Sequence, residues 1–227
     1  MVDIPDESWF HLVHVEIEAH ADTAIFALLN VSRLAGSDDP TGVESALAKV
    51  PLIFDKMIRC FRRITERCST NVYYHTLRPN LFGFDGIVYE GVEEFGAKPM
   101  TFMGESGAQS TVIPAIKALI GLQHPKSGLS EDLESMKAYM PKLHRALLSR
   151  IDPTAICGFV ERANDPNLRE VYNLCLERIV DFRSLHLKMA HAFFVQKVKD
   201  PRGTGGTDLM KWLTQLRDKT AQQTITR

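Results

Sequence analysis

The chain has 227 residues, 24% charged and 44% apolar, with a formal net charge of -1. That is an ordinary globular composition, long enough to bury a full core. The near-neutral balance excludes a partner chosen by bulk electrostatics, so neither nucleic acid nor an anionic membrane surface is expected. No apolar run approaches the roughly 20 residues of a membrane span, and MVDIPDESWF is acidic, without the apolar core of a signal peptide. Cys60, Cys68, Cys157 and Cys175 show no CxxC or paired spacing. Thiols used as small apolar residues in a reduced, cytoplasmic protein account for them.

Taken in order, Pro5 and the acidic Asp6 and Glu7 mark a helix start. The stripe Phe10, Val13, Ile17, Ala21, Ile25, Leu28 and Leu29 carries that helix to about Leu34. His11, His14 and Glu18 follow at spacings of three and four, which suits a metal site, although a solvated helix flank explains them as well. After the loop Ala35–Gly42, a second helix is predicted from Val43 to about Cys68, kinked by Pro51. Its buried face would be Leu52, Ile53, Met57, Ile58, Phe61 and Ile64. Arg59, Arg62, Arg63 and Arg67 make its far end cationic, which complements the helix dipole without a ligand.

Tyr73, Tyr74, Leu77 and Arg78 fall on a short helix that Pro79 tends to end. Two aromatics one turn from an Arg suit an aromatic amino acid, rings on rings and carboxylate on guanidinium. A core aromatic pair with a surface Arg is the plainer alternative. Gly104–Ser110 is a small-residue loop of the kind that lets backbone approach a ligand, leading into a helix from Thr111 to Leu122. Two short helices parted by Pro141 are expected between Ser130 and Arg150.

The stretch Asn167–Lys199 reads as one long helix, uninterrupted by Gly or Pro, with Leu168, Val171, Leu174, Cys175, Phe182, Leu185, Met189 and Phe193 at helical spacing. His186 projects from its inward side, and Arg183 lies one turn earlier. An inward imidazole beside a cation suits a bound group that is part metal and part anion, of which haem is one. A hydrogen-bonded core histidine is the other account. The glycines of Asp200–Asp208 form a hinge suited to a lid, with Thr207 a plausible N-cap for a last helix, Leu209–Ala221. Strand signals are nearly absent, so residues 1–227 are expected to form one all-α domain.

Six stretches in this order resemble the indoleamine 2,3-dioxygenase family. They are WFHLVHVEIEA (Trp9–Ala19), LRPNLFGF with IVYEGV (Leu77–Val92), GESGAQS (Gly104–Ser110), YMPKLHR (Tyr139–Arg145), FRSLHL (Phe182–Leu187) and GTGGTDLM (Gly203–Met210). The resemblance covers the family's large helical domain, a long-helix bundle around a haem pocket. It implies an enzyme that inserts both atoms of O2 across the indole C2–C3 bond of L-tryptophan, giving N-formylkynurenine, with haem b as cofactor. His186 would be the proximal iron ligand and Arg183 the partner of a haem propionate. Arg78 would hold the substrate carboxylate, with Tyr73 on the indole and Tyr74 beside it. Ser106 and Gly107 would lie on the distal side, near the haem edge and the substrate's polar groups. Thr204, Gly205 and Gly206 would belong to a mobile loop closing over the amino acid.

Three departures from the family pattern bear on this reading. The family's smaller N-terminal domain is not represented, so a fragment, or a site completed by another chain, is expected. Tyr73 and Tyr74 replace phenylalanines of some members, which puts the substrate in question. Lys117 stands where some members carry an acid supporting the propionate-binding Arg, and a Lys there would pair with a propionate directly. Two rivals share the cofactor: an oxygenase of another indole in secondary metabolism, and a non-catalytic haem-binding protein.

Overall fold

A computed structural model describes residues 2–123, 134–193, 196 and 209–226. Helix α1 runs Pro5–Gly36, with Pro at its start and Asp6 and Glu7 in its first turn. Ile4 offers no capping side chain, and the Glu7 carboxylate instead accepts from the Val2 and Asp3 amides at 2.9 and 2.8 Å. Val13, Ile17, Ala21, Ala24, Leu28 and Val31 form its buried stripe, the helical period read in the sequence.

The predicted Val43–Cys68 helix is three helices: α2 (Pro40–Leu47), α3 (Lys49–Arg62) and α4 (Ile64–Arg67). Pro51 causes the first break rather than a kink. It lacks the N–H that would bond the Leu47 carbonyl, and in the first turn of a new helix that lack costs nothing. The freed Leu47 carbonyl accepts from the buried Cys175 thiol at 3.7 Å. Asp39 caps α2, accepting from the Gly42 amide at 2.9 Å. Leu52 departs from expectation and is 62% exposed. It shares its face of α3 with Lys56, Arg59 and Arg63, while Ile53, Phe54, Met57 and Phe61 take the core.

After the single turn α5 (Thr70–Val72), Tyr73–Leu77 is a wide, π-type turn and Arg78–Leu81 a tighter one. An antiparallel hairpin follows that the sequence reading did not anticipate, β1 (Phe84–Ile87) with β2 (Met100–Phe102). Phe84 faces Phe102 and Ile87 faces Met100, with an irregularity between. Tyr89, Phe95 and Phe102 pack together, ring centroids 5.3–6.4 Å apart. Aromatic side chains suit a pleated surface, and this short run lacked the alternation that announces a longer strand.

Helices α6 (Val112–Ile120), α7 (Lys142–Leu148), α8 (Ala155–Ala163), α9 (Pro166–Phe193) and α10 (Leu209–Ala221) complete an all-α bundle. Asp165 caps α9, accepting from the Asn167 and Leu168 amides at 2.8 and 3.3 Å. Leu28, Phe54, Met57, Ile120, Ile156 and Leu176 bring five helices into one core. Tyr172 of α9 donates to the Ile120 carbonyl at the end of α6, at 2.8 Å. Residues 194–195 and 197–199 of the predicted long helix, and Thr207, lie outside the described residues.

Candidate functional site

Helix α9 carries Phe182, Arg183 and His186 on the side facing α3 and α10. The half-buried His186 ring packs on Phe61, centroids 5.8 Å apart. Burial, with a smaller contribution from the nearby His14, pushes its pKa down to about 4, so the ring is neutral at pH 7. Among the described residues neither of its ring nitrogens has a hydrogen-bond partner. A sheltered, neutral imidazole of this kind keeps a lone pair for a metal.

Arg183 is 6% exposed. Its Nη1 donates to the Leu216 carbonyl of α10 at 2.7 Å and to the Thr220 hydroxyl. Burial pulls its pKa down to about 10, which leaves it charged. No carboxylate pairs with it among the described residues, and its Nε and Nη2 bond no other described side chain or carbonyl. Lys117 of α6 sits within its field. Burial first, then Arg183 and then Lys137, hold the Lys117 ammonium below its usual pKa. Two sheltered cations so placed call for an anion.

Rings connect this turn to the residues read as a substrate site. Phe61 also meets His14 (6.5 Å), His14 meets Phe10 (4.3 Å), and Phe10 meets Tyr73 (5.3 Å). Tyr73 closes back onto Phe193 of α9, edge to face at 5.3 Å. Burial raises the Tyr73 phenol to about 12 against an opposing pull from Arg78, so it remains a donor. Arg78 is 8% exposed, not the surface residue of the plainer alternative. Its guanidinium lies over Phe82 at 4.7 Å and Tyr74 at 5.7 Å.

The loop Gly104–Ser110 is locked to both sides of this aromatic path. Glu105 N donates to the Leu81 carbonyl, three residues after Arg78, at 2.9 Å. Ser110 Oγ donates to Glu18 of α1 at 2.7 Å. Ser106 accepts from the Ala108 amide while Gln109 reaches back to the Ser106 amide, a capping box. Where the loop crosses the segment before β1, a Cβ on Gly104 would stand 2.4 Å from the Leu81 carbonyl oxygen. A Cβ on Gly83 would stand 2.2 Å from that of Phe102. Glycine is required at both positions by this crossing.

His11, His14 and Glu18 do not converge as a metal site, and no cluster of three metal-ligating side chains occurs among the described residues. His14 Nδ1 donates to the Phe10 carbonyl at 2.8 Å, while Glu18 accepts from Ser110. Thr204, Gly205 and Gly206 lie outside the described residues. Sequence reasoning missed Phe10, Phe61 and Phe193 as walls, reading them only as core positions. It also missed Thr220, fully buried, whose one signal is a hydroxyl on the apolar face of α10.

In this all-α protein an imidazole with no hydrogen-bond partner among the described residues lies one turn from the buried Arg183, with the half-buried Lys117 in the field of that guanidinium. The family model described as "Indoleamine 2,3-dioxygenase" matches residues 2–202, and the chain belongs to that family. It is 30% identical to "Indoleamine 2,3-dioxygenase 1" of Rattus norvegicus over 93% of this chain and 57% of that protein. It is 26% identical to "Indoleamine 2,3-dioxygenase nanC" of Aspergillus nanangensis over 95% of this chain and 59% of that protein. A "Myoglobin" of Haliotis madaka is 28% identical over 93% and 60%, respectively. The chain thus spans less than two thirds of the length of these relatives. Among the described residues no helix is long and apolar enough to cross a membrane.

Proposed function

We propose that this chain is the haem-carrying part of a dioxygenase that opens the indole C2–C3 bond of L-tryptophan to give N-formylkynurenine. The observation that carries the reading is His186: a neutral imidazole without a hydrogen-bond partner among the described residues, one turn from a buried, carboxylate-free guanidinium. These residues fit haem b. His186 would hold its iron, and Arg183 and Lys117 would supply charge for its carboxylates. Bound haem would supply the dioxygen and electron chemistry.

The chain's own task is then to bind and orient the amino acid and keep water away. Arg78 grips the carboxylate, held in place by Phe82 and Tyr74. Tyr73 faces the indole, backed by Phe10 and Phe193. Ser106 and Gly107 present a polar edge on a loop already braced from two sides. The experiment is incubation of the haem-loaded protein with L-tryptophan and O2 under reducing conditions. N-formylkynurenine is expected, and haem-replete protein that yields none overturns the tryptophan reading.

The relative named as a myoglobin supports a second reading, haem binding without turnover. A haem spectrum that responds to external ligands, with no indole consumed, is the outcome that selects it.

A further inference from the structure

We propose that a groove between α3 and α9 binds a small phosphate-bearing molecule. The groove has a volume of about 490 Å³ and lies on the outer side of the two helices. Arg59 and Arg62, three apart on α3, face Ser184 and Lys188, four apart on α9, across it. At those spacings each pair shares one side of its helix. Ile58 and Leu185 supply an apolar strip between the polar groups.

The charges are what single it out. Like cations on neighbouring turns and on facing helices repel one another. Some surface cations elsewhere are paired, Arg63 with Glu16 and Glu66, Lys137 with Glu134, Arg217 with Asp218, while others stand singly; here several share one groove. Here two acids also line the groove, Asp55 and Asp181, but Arg178 holds both. Its Nη1 lies 2.9 Å from Asp181, and its Nε 3.1 Å from Asp55, too bent for a hydrogen bond. Arg59, Arg62 and Lys188 have no carboxylate partner among the described residues. Three donor-rich cations and a hydroxyl around one space match a phosphate, whose oxygens accept from several donors at once. The apolar strip favours a phosphate carried on an apolar body over the bare ion.

The test is calorimetric titration of the purified chain with phenyl phosphate and with inorganic phosphate, at constant ionic strength so that screening is matched. It needs no haem and is independent of the dioxygenase reading. Saturable one-to-one binding is expected, tighter for phenyl phosphate. Arg59→Ala, Arg62→Ala and Lys188→Ala should each weaken it about tenfold, the scale of a lost charge-assisted hydrogen bond. Arg150→Ala, a surface charge outside the groove, should leave it unchanged. These exposed positions tolerate truncation, and thermal melts confirm that each variant folds. Absence of saturable binding, or equal binding by the triple variant, overturns the proposal. Equal affinity for the two ligands overturns the assignment of the apolar strip.

Discussion

Arg183 Nη1 donates to the Leu216 carbonyl at 2.7 Å, so the guanidinium one turn before His186 also fastens the last helix to α9. One end of that side chain is structural, and among the described residues its Nε and Nη2 bond no side chain or carbonyl.

Replacing Arg183 should therefore do two things. Arg183→Leu removes a charged donor from Leu216 and Thr220, and should cost about 2 kcal/mol in urea unfolding. Amide exchange in α10 should rise more than in α1. Haem affinity should fall as well. A Thr220→Val variant, which loosens α10 while retaining the cation, should separate the effects by keeping haem affinity nearly intact.

Lys117 is expected to move stability and haem affinity in opposite directions. Its ammonium is disfavoured in the haem-free protein by burial and by Arg183. Lys117→Met should then leave the haem-free protein equally stable or more so, while haem binding weakens severalfold. A fall in both would assign Lys117 a purely structural role.

Much of this was legible in the sequence, and the limits have physical causes. The long helix with His186 and Arg183 was visible because a 3.6-residue apolar period survives 28 residues without a breaker. The break at Ala48 was mistaken for a kink because Pro51 looked internal to one helix. Position alone does not tell a proline bending a helix from one beginning the next. The hairpin was missed because its strands are four and three residues long. The second role of Arg183 depends on Thr220, 37 residues away, a pairing no local pattern encodes.

In the haem-free protein His186 predicts an acid dependence of stability. Its folded pKa, about 4, lies below the ordinary 6.5. Between these values the unfolded chain takes up a proton that the folded chain refuses. Stability from this group is complete above pH 6.5 and is lost as pH falls toward 4, by up to ~3 kcal/mol. Subtracting the pH profile of His186→Gln isolates this contribution from the carboxylates that titrate in the same range. A difference that stays flat from pH 7 to 4 would show that the ring protonates equally in both states.

Two glycines of one loop should behave differently. Gly104→Ala drives a Cβ into the Leu81 carbonyl and should destabilise the fold by about 1–3 kcal/mol. Gly107→Ala meets nothing within 4 Å and should leave stability unchanged. If the loop lines the substrate site, Gly107→Ala should still weaken L-tryptophan binding, read from the haem spectrum, without altering haem content.

The most direct test of the central claim is the absorption spectrum of the haem-loaded protein beside that of His186→Ala. The variant should lose the Soret band of a histidine-bound iron, or bind haem far more weakly, and added imidazole should restore the band by occupying the vacated space. An unchanged spectrum and haem content in His186→Ala would contradict the account, because the iron would then be held by another residue.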